Sequence, residues 1–137
     1  MKIVITGASR GIGFESAKLF AASGHQVLAV SRNTDKLSDL AKCGVIPFSF
    51  DLTTEDYSDL IEKVKVFGEI DVLINNAGVL VNKPFSEISN ADLLYIYNVN
   101  VFAPFRLVRD LSPYFSCQSH TINISSVGGV QGSVKFP

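Results

Sequence analysis

The chain alternates short, nearly continuous apolar runs with longer stretches in which apolar residues recur every three or four positions. Lys2–Thr6 is almost wholly β-branched, as expected of a parallel strand covered on both faces. A helix follows, with Ile12, Ser16, Leu19 and Phe20 sharing one face and Gly24 placed to end it. Gln26–Val30 predicts a second strand, and Leu37, Leu40 and Ala41 mark a short second helix stopped near Gly44. Val45–Phe50 predicts a third strand. Pro47 has no amide proton to give a ladder, which assigns that strand to a sheet edge. Thr53 and Asp56 have the form of a capping box opening a third helix, with Tyr57, Leu60, Ile61 and Val64 as its inner face and Gly68 closing it. Ile70–Asn75 predicts a fourth strand, followed by a loop from Asn76 to about Ile88. Ser89 is placed to cap a fourth helix with Leu94, Tyr97, Val101, Phe105 and Val108 as its buried stripe and a kink or break at Pro104. His120–Ser125 predicts a fifth strand, followed by a glycine-rich turn.

Strands alternating with helices in this order predict a doubly wound parallel α/β sheet with right-handed crossovers. Ligands in such sheets bind outside the carboxyl ends of the strands, which gathers residues 7–13, 31–33, 51–52, 76–79 and 126–132 on one side.

Composition changes this picture little. The 137 residues, 47% of them hydrophobic, suit one compact domain over residues 1–137. A formal net charge of -1, with both signs mixed along the chain, gives no electrostatic ground for nucleic acid or an anionic membrane as partner. Cys43 and Cys117 lie far apart with no CxxC pairing or histidine cluster, so two ordinary buried or half-buried thiols are expected, with neither a disulfide nor a metal site. No run approaches the roughly 18 apolar residues of a spanning helix, and the first strand begins at Lys2, leaving no room for a leader. A cytoplasmic location is the expectation.

The chemistry concentrates at Thr6-Gly7-Ala8-Ser9-Arg10-Gly11-Ile12-Gly13, which follows a strand and opens a helix. Missing side chains let a backbone approach a diphosphate, and free amides at a helix start donate to it. The spacing is GxxxGxG, neither the GxGxxG dinucleotide fingerprint nor a Walker A loop. After the second strand, Ser31 and Arg32 stand where an NAD site would place an acid for the ribose hydroxyls. Arg32 and Arg10 are suited to grip a 2′-phosphate, or are solvated surface charges.

These residues resemble a short-chain dehydrogenase/reductase of the classical type, over essentially the whole chain. TGASRGIG at 6–13 matches that family's cofactor turn, Asn75-Asn76-Ala77-Gly78 its NNAG motif, and Ile124-Ser125-Ser126 with Gly129 the end of its fifth strand. The resemblance implies a Rossmann-type domain, incomplete at its carboxyl end relative to the family. It implies cofactor contacts from Gly7, Ser9, Arg10, Gly11, Ile12 and Gly13, and from Asn76, Ala77 and Gly78, with Asn76 at the nicotinamide ribose. Arg10 and Arg32 then favour NADP over NAD. Asp51 and Leu52 resemble the pair bordering the adenine ring, although a carboxylate that merely starts a helix explains Asp51 equally well. Asn100 matches the asparagine of the catalytic tetrad, with the role of holding a water in a proton relay; a polar surface asparagine is the competing reading. Ser126, followed by Val127-Gly128-Gly129, matches the catalytic serine that orients a substrate carbonyl.

The family's acid is a tyrosine with a lysine four residues on. Tyr57, Tyr95, Tyr97 and Tyr114 are followed at that distance by Ile61, Val99, Val101 and Gln118, so the motif is absent, and the family spacing places it just beyond Pro137. Two expectations follow. One is a homo-oligomeric NADP-dependent oxidoreductase of a small carbonyl or alcohol, represented here by its cofactor-binding half. The other is a non-catalytic nucleotide-binding or interaction module, in which the fifth strand's Ile122 and Ile124 form an uncovered apolar edge.

Overall fold

The computed structural model describes residues 1–131. Five parallel strands, β1 (Lys2–Thr6), β2 (Gln26–Ser31), β3 (Ile46–Ser49), β4 (Ile70–Asn75) and β5 (Phe115–Asn123), form one sheet in the order β3-β2-β1-β4-β5. The expected doubly wound sheet is therefore present. Among the described residues, β3, with Pro47, pairs only with β2 and lies at the edge, while β5 pairs only with β4 and leaves its Ile122, and Ile124 just beyond it, exposed.

Because side chains alternate across a strand, the sheet feeds two cores. Ile3, Ile5, Val27 and Ala29 pack on one face with Ala17, Leu37 and Leu40 from α1 (Gly11–Ala22) and α2 (Thr34–Ala41). Val4, Leu28, Val30 and Leu73 pack on the other with Leu60, Val64, Leu107 and Leu111 from α3 (Ser58–Phe67) and α5 (Ala103–Leu111).

Several local expectations need correction. The inner face of α1 is Gly13 and Ala17, with Phe14 and Phe20 partly covered, whereas Ile12 and Leu19 are exposed. Small residues let this helix approach the sheet closely, and that contact outweighs the larger side chains on its other face. No capping box forms at Thr53–Asp56. Asp51 accepts from the amide and hydroxyl of Thr53, and Asp56 from those of Ser58, so two local turns precede a helix that starts only at Ser58. Gly68 does close it, at φ 96°.

The expected fourth helix is two helices, α4 (Asn90–Tyr97) and α5, joined by a π-helical turn at Asn98–Phe102. Ser89 caps α4 as expected, with Asp92 completing a reciprocal capping box. The π turn adds one residue to the backbone cycle and rotates the inner face of the segment. Val99, Ala103, Leu107 and Leu111 are buried, while Leu94, Tyr97, Val101 and Phe105 of the expected stripe are exposed. Pro104 falls in the first turn of α5, where its missing amide proton costs no helical bond. β5 begins earlier than expected and ends at Asn123, and Gly128–Gln131 form a short helix, α6. Of the turn expected over 126–132, residue 132 lies outside the described residues. Both cysteines are free and exposed, not buried, because Cys43 follows the end of α2 and Cys117 sits on the edge strand β5.

Candidate functional site

The order of the sheet reverses at β1, whose neighbours β2 and β4 lead to opposite edges. A cleft of about 780 Å³ opens where the carboxyl ends of these strands diverge.

Its floor is the glycine turn. Gly7 and Gly11 adopt φ 66° and 57°, left-handed values that favour glycine. A β-carbon on Gly7 would lie 2.7 Å from Ala77 Cα, and one on Gly13 would lie 2.7 Å from Gly7 O and closer still to Asn76 Nδ2. Thr6 and Asn76 account for that crowding. The buried Thr6 hydroxyl donates to Ile74 O and accepts from the amides of Asn76 and Ala77, both at 3.1 Å. Asn76 Nδ2 in turn donates to Thr6 O at 2.9 Å and Gly7 O at 3.2 Å. The first and fourth strand ends are thus laced together directly beneath the turn. Arg10, which precedes α1, makes no side-chain capping hydrogen bond to the amides at the helix start.

Of the residues expected to meet a cofactor, Gly7, Ser9, Arg10, Gly11, Ile12, Arg32, Asp51, Leu52, Asn76, Ala77 and Gly78 all line this cleft. Gly13 does not; it is buried behind the turn. The exposure of Ile12 is explained by its place on the cleft rim. Ser31, Asn33 and Val79, within the strand-end segments expected on this side, also line the cleft, as do Val30, Phe50, Val99 and Ile124, which the sequence did not single out. Most of these follow or precede a marked residue by one position, so adjacency to a strand end was the available signal.

Among the described residues, neither the Arg10 nor the Arg32 guanidinium forms an ion pair. The Asp51 carboxyl is caught between opposing effects. Burial pushes its pKa up, but the two hydrogen bonds from Thr53, with Arg32 nearby, hold it below the usual carboxylate value.

Asn100 sits on the π turn and exchanges two hydrogen bonds with Val79. Its Oδ1 accepts from the Val79 amide and its Nδ2 donates to Val79 O, each at 2.9 Å. A π turn places this side chain against the loop after β4, where a continuous α-helix would turn it away. Ser126 is exposed and its hydroxyl accepts from Gly128 N at 3.2 Å; it does not line the cleft. The preceding Ile124 does, tied by its amide to Asn75 O at 2.9 Å. Asn75 is itself bonded to Asn123 across the strands, Nδ2 to Oδ1 at 2.8 Å. Gly129 lies in α6. No tyrosine lines the cleft among the described residues. Nor do the described residues contain a group of three or more His, Cys, Asp or Glu able to hold a metal, or a helix long and apolar enough to cross a membrane.

A parallel sheet with its cleft at the strand carboxyl ends and a glycine turn as floor defines a Rossmann-type α/β protein. The model of the short chain dehydrogenase family matches residues 1–137, and the chain belongs to that family. It is 34% identical over 141 aligned residues to the ketoacyl reductase HetN of Nostoc sp., covering 95% of this chain and 49% of that protein. It is 33% identical over 140 residues to the 3-oxoacyl-acyl-carrier-protein reductase FabG of Thermotoga maritima, covering 95% and 57%. A third relative, the NADPH-dependent 1-acyldihydroxyacetone phosphate reductase of Saccharomyces cerevisiae, is 30% identical, with 98% of this chain and 47% of that protein covered. Among solved structures, a short-chain dehydrogenase/reductase of the glucose/ribitol dehydrogenase type from Brucella melitensis superposes with a TM-score of 0.90 at 28% identity, covering 98% of this chain and 60% of that one. The chain spans about half the length of the curated relatives it matches.

Proposed function

We propose that this chain forms the NADP(H)-binding part of a cytoplasmic oxidoreductase that interconverts a small carbonyl compound and its alcohol. The observation that carries the reading is the pair of arginines on the cleft wall. Arg10 and Arg32 both line it, neither forms an ion pair among the described residues although Asp51 lies near Arg32, and β2 ends in Ser31 rather than an acid. A 2′-phosphate is the ligand group such a pair recognises, and an acid would instead repel it. The yeast relative, whose name states NADPH dependence, points the same way.

When bound, the nicotinamide supplies or accepts a hydride. The residues of this chain then have separate tasks. Glycine-turn amides hold the diphosphate, Asp51 and Leu52 border the base, and the Asn76–Gly78 strand end flanks the nicotinamide ribose. Asn100 fixes the loop at Val79, and Ser126, outside the cleft lining and bonded to Gly128, orients the carbonyl oxygen only after turning from that bond toward the cleft. The proton for the forming alkoxide comes from none of the four tyrosines of this chain, since Tyr57 is buried with its hydroxyl on Leu52 O and none lines the cleft. The exposed Leu94 and Tyr97 of α4, Val101 of the π turn and Phe105 of α5 form the surface through which the protein self-associates.

Titration of NADPH fluorescence with the purified chain, combined with a panel of ketones and aldehydes, tests the reading. Binding accompanied by turnover supports the oxidoreductase reading but overturns the assignment of the proton donor outside this chain's tyrosines. Binding without turnover favours a nucleotide-binding module whose proton donor lies elsewhere. No binding of NADPH overturns both.

A further inference from the structure

The wall of the cleft formed by Phe50, Asp51 and Leu52 is propped from behind by two side chains that do not reach the cleft. Tyr57 is 3% exposed, and its hydroxyl donates to Leu52 O at 2.9 Å. Its ring meets Phe50 edge-on, with centroids 5.2 Å apart and planes at 69°. Arg106, half-buried on α5, donates from Nη1 to Thr54 O at 3.3 Å. Between these two anchors the chain makes only local bonds, Thr53 to the Asp51 carboxylate and Thr54 N to Asp51 O. Burial raises the pKa of the Tyr57 hydroxyl, opposed by the neighbouring Arg106, so the proton that Leu52 O accepts is retained at neutral pH.

We infer that Tyr57 and Arg106 are positioning residues for the base-binding end of the cleft. The inference rests on the nucleotide reading above. A buried carbonyl that loses its only side-chain donor is costly, so Leu52 can leave its place only by breaking the Tyr57 bond. Arg106 reaches the same loop from α5, next to Tyr57. The wall against which a planar base packs is therefore held by Tyr57, just before α3, and by Arg106 of α5, in addition to its own local turns. Its sequence neighbours give no hint of this, because Arg106 is separated from Thr54 by 52 positions.

The test uses the whole chain and two fragments of the dinucleotide as competitors of NADPH: 2′,5′-ADP for the base end and reduced nicotinamide mononucleotide for the other. Tyr57→Phe keeps the ring on Phe50 and removes only the hydroxyl, and Arg106→Gln removes the reach to Thr54. Each is expected to weaken 2′,5′-ADP by about 3- to 10-fold, the fold-change of one lost buried hydrogen bond. The nicotinamide fragment should stay within about twofold, since no contact at that end is touched. Ile70→Val, in the core away from the cleft, controls for lowered stability and should leave the ratio of the two fragments unchanged. Arg106→Lys should recover part of the lost affinity. Equal weakening of both fragments, or of neither, overturns the inference. Failure of the unsubstituted chain to bind NADPH overturns the nucleotide reading itself, and this one with it.

Discussion

Asn100 and Val79 hold each other by both faces of an amide: the Val79 amide donates to Oδ1 and Nδ2 donates to Val79 O, each at 2.9 Å. The contact joins the π turn between α4 and α5 to the loop that leaves β4. Asn100→Ala is expected to cost about 1 kcal/mol of global stability. Its larger effect is local, with faster amide hydrogen exchange at Val79 while β1 and β2 keep their protection. Asn100→Asp keeps the acceptor for the Val79 amide but loses the donor, and should fall between the two. Unchanged exchange at Val79 in Asn100→Ala would contradict the assigned contact.

The glycine turn makes a sharper steric prediction. Gly13→Ala places a methyl group against Gly7 O and Asn76 Nδ2, and is expected to destabilise by about 2 kcal/mol or more while disrupting the turn. Gly11→Ala meets nothing within 4 Å and suffers only its left-handed φ of 57°, a cost of about 1 kcal/mol. Urea unfolding of both variants checks the order. An equal loss would mean that conformation alone, without the packing of Asn76 under the turn, explains the glycines.

The start of α4 carries an acid-sensitive contact. The Lys83 ammonium, and then the hydroxyl and amide of Ser89, hold the Asp92 carboxyl down to a pKa of about 2. Because the folded value is depressed, its contribution is fully present above the unfolded pKa of about 3.9. That contribution is lost as pH falls through about 2. Asp92→Asn should therefore flatten the dependence of the urea midpoint on pH between about 4 and 2. An unaltered acid slope in this variant would remove Asp92 as its source.

The outward face of α4 and α5 predicts self-association. Phe105 is 69% exposed and Leu94 60%, values that suit a surface covered by another molecule. Light scattering after size exclusion should give the unsubstituted chain a mass above one protomer, and Phe105→Lys with Leu94→Lys should lower it. A monomer in both cases contradicts the assignment.

What the sequence disclosed follows the range of the interactions involved. The strands, the edge position of β3 and the residues of the glycine turn depend on local composition and on the rule for strand ends, and they were legible. The buried face of the α4–α5 segment was not, because one additional residue in the π turn at Asn98–Phe102 changes the phase of everything after it. Gly13 and Ala17 were overlooked as the inner face of α1 because hydrophobic size signals burial poorly where backbones approach closely. Tyr57 was recognised as a core residue, but its bond to Leu52 O depends on a loop path that no periodicity encodes. Asp51 does not start the third helix: it accepts from Thr53 in a local turn that precedes α3 (Ser58–Phe67), and it lines the cleft.

The central claim is that Arg10 and Arg32 make this cleft a site for NADP(H), and the ratio of NADPH to NADH affinity tests it most directly. The unsubstituted chain should bind NADPH at least about tenfold more tightly than NADH, a difference near 1.4 kcal/mol, and Arg32→Asp should reverse the preference as the new carboxylate repels the 2′-phosphate and accepts from the ribose hydroxyls. Equal affinity for the two dinucleotides, or a preference for NADPH that survives Arg32→Asp together with Arg10→Ala, would contradict the account.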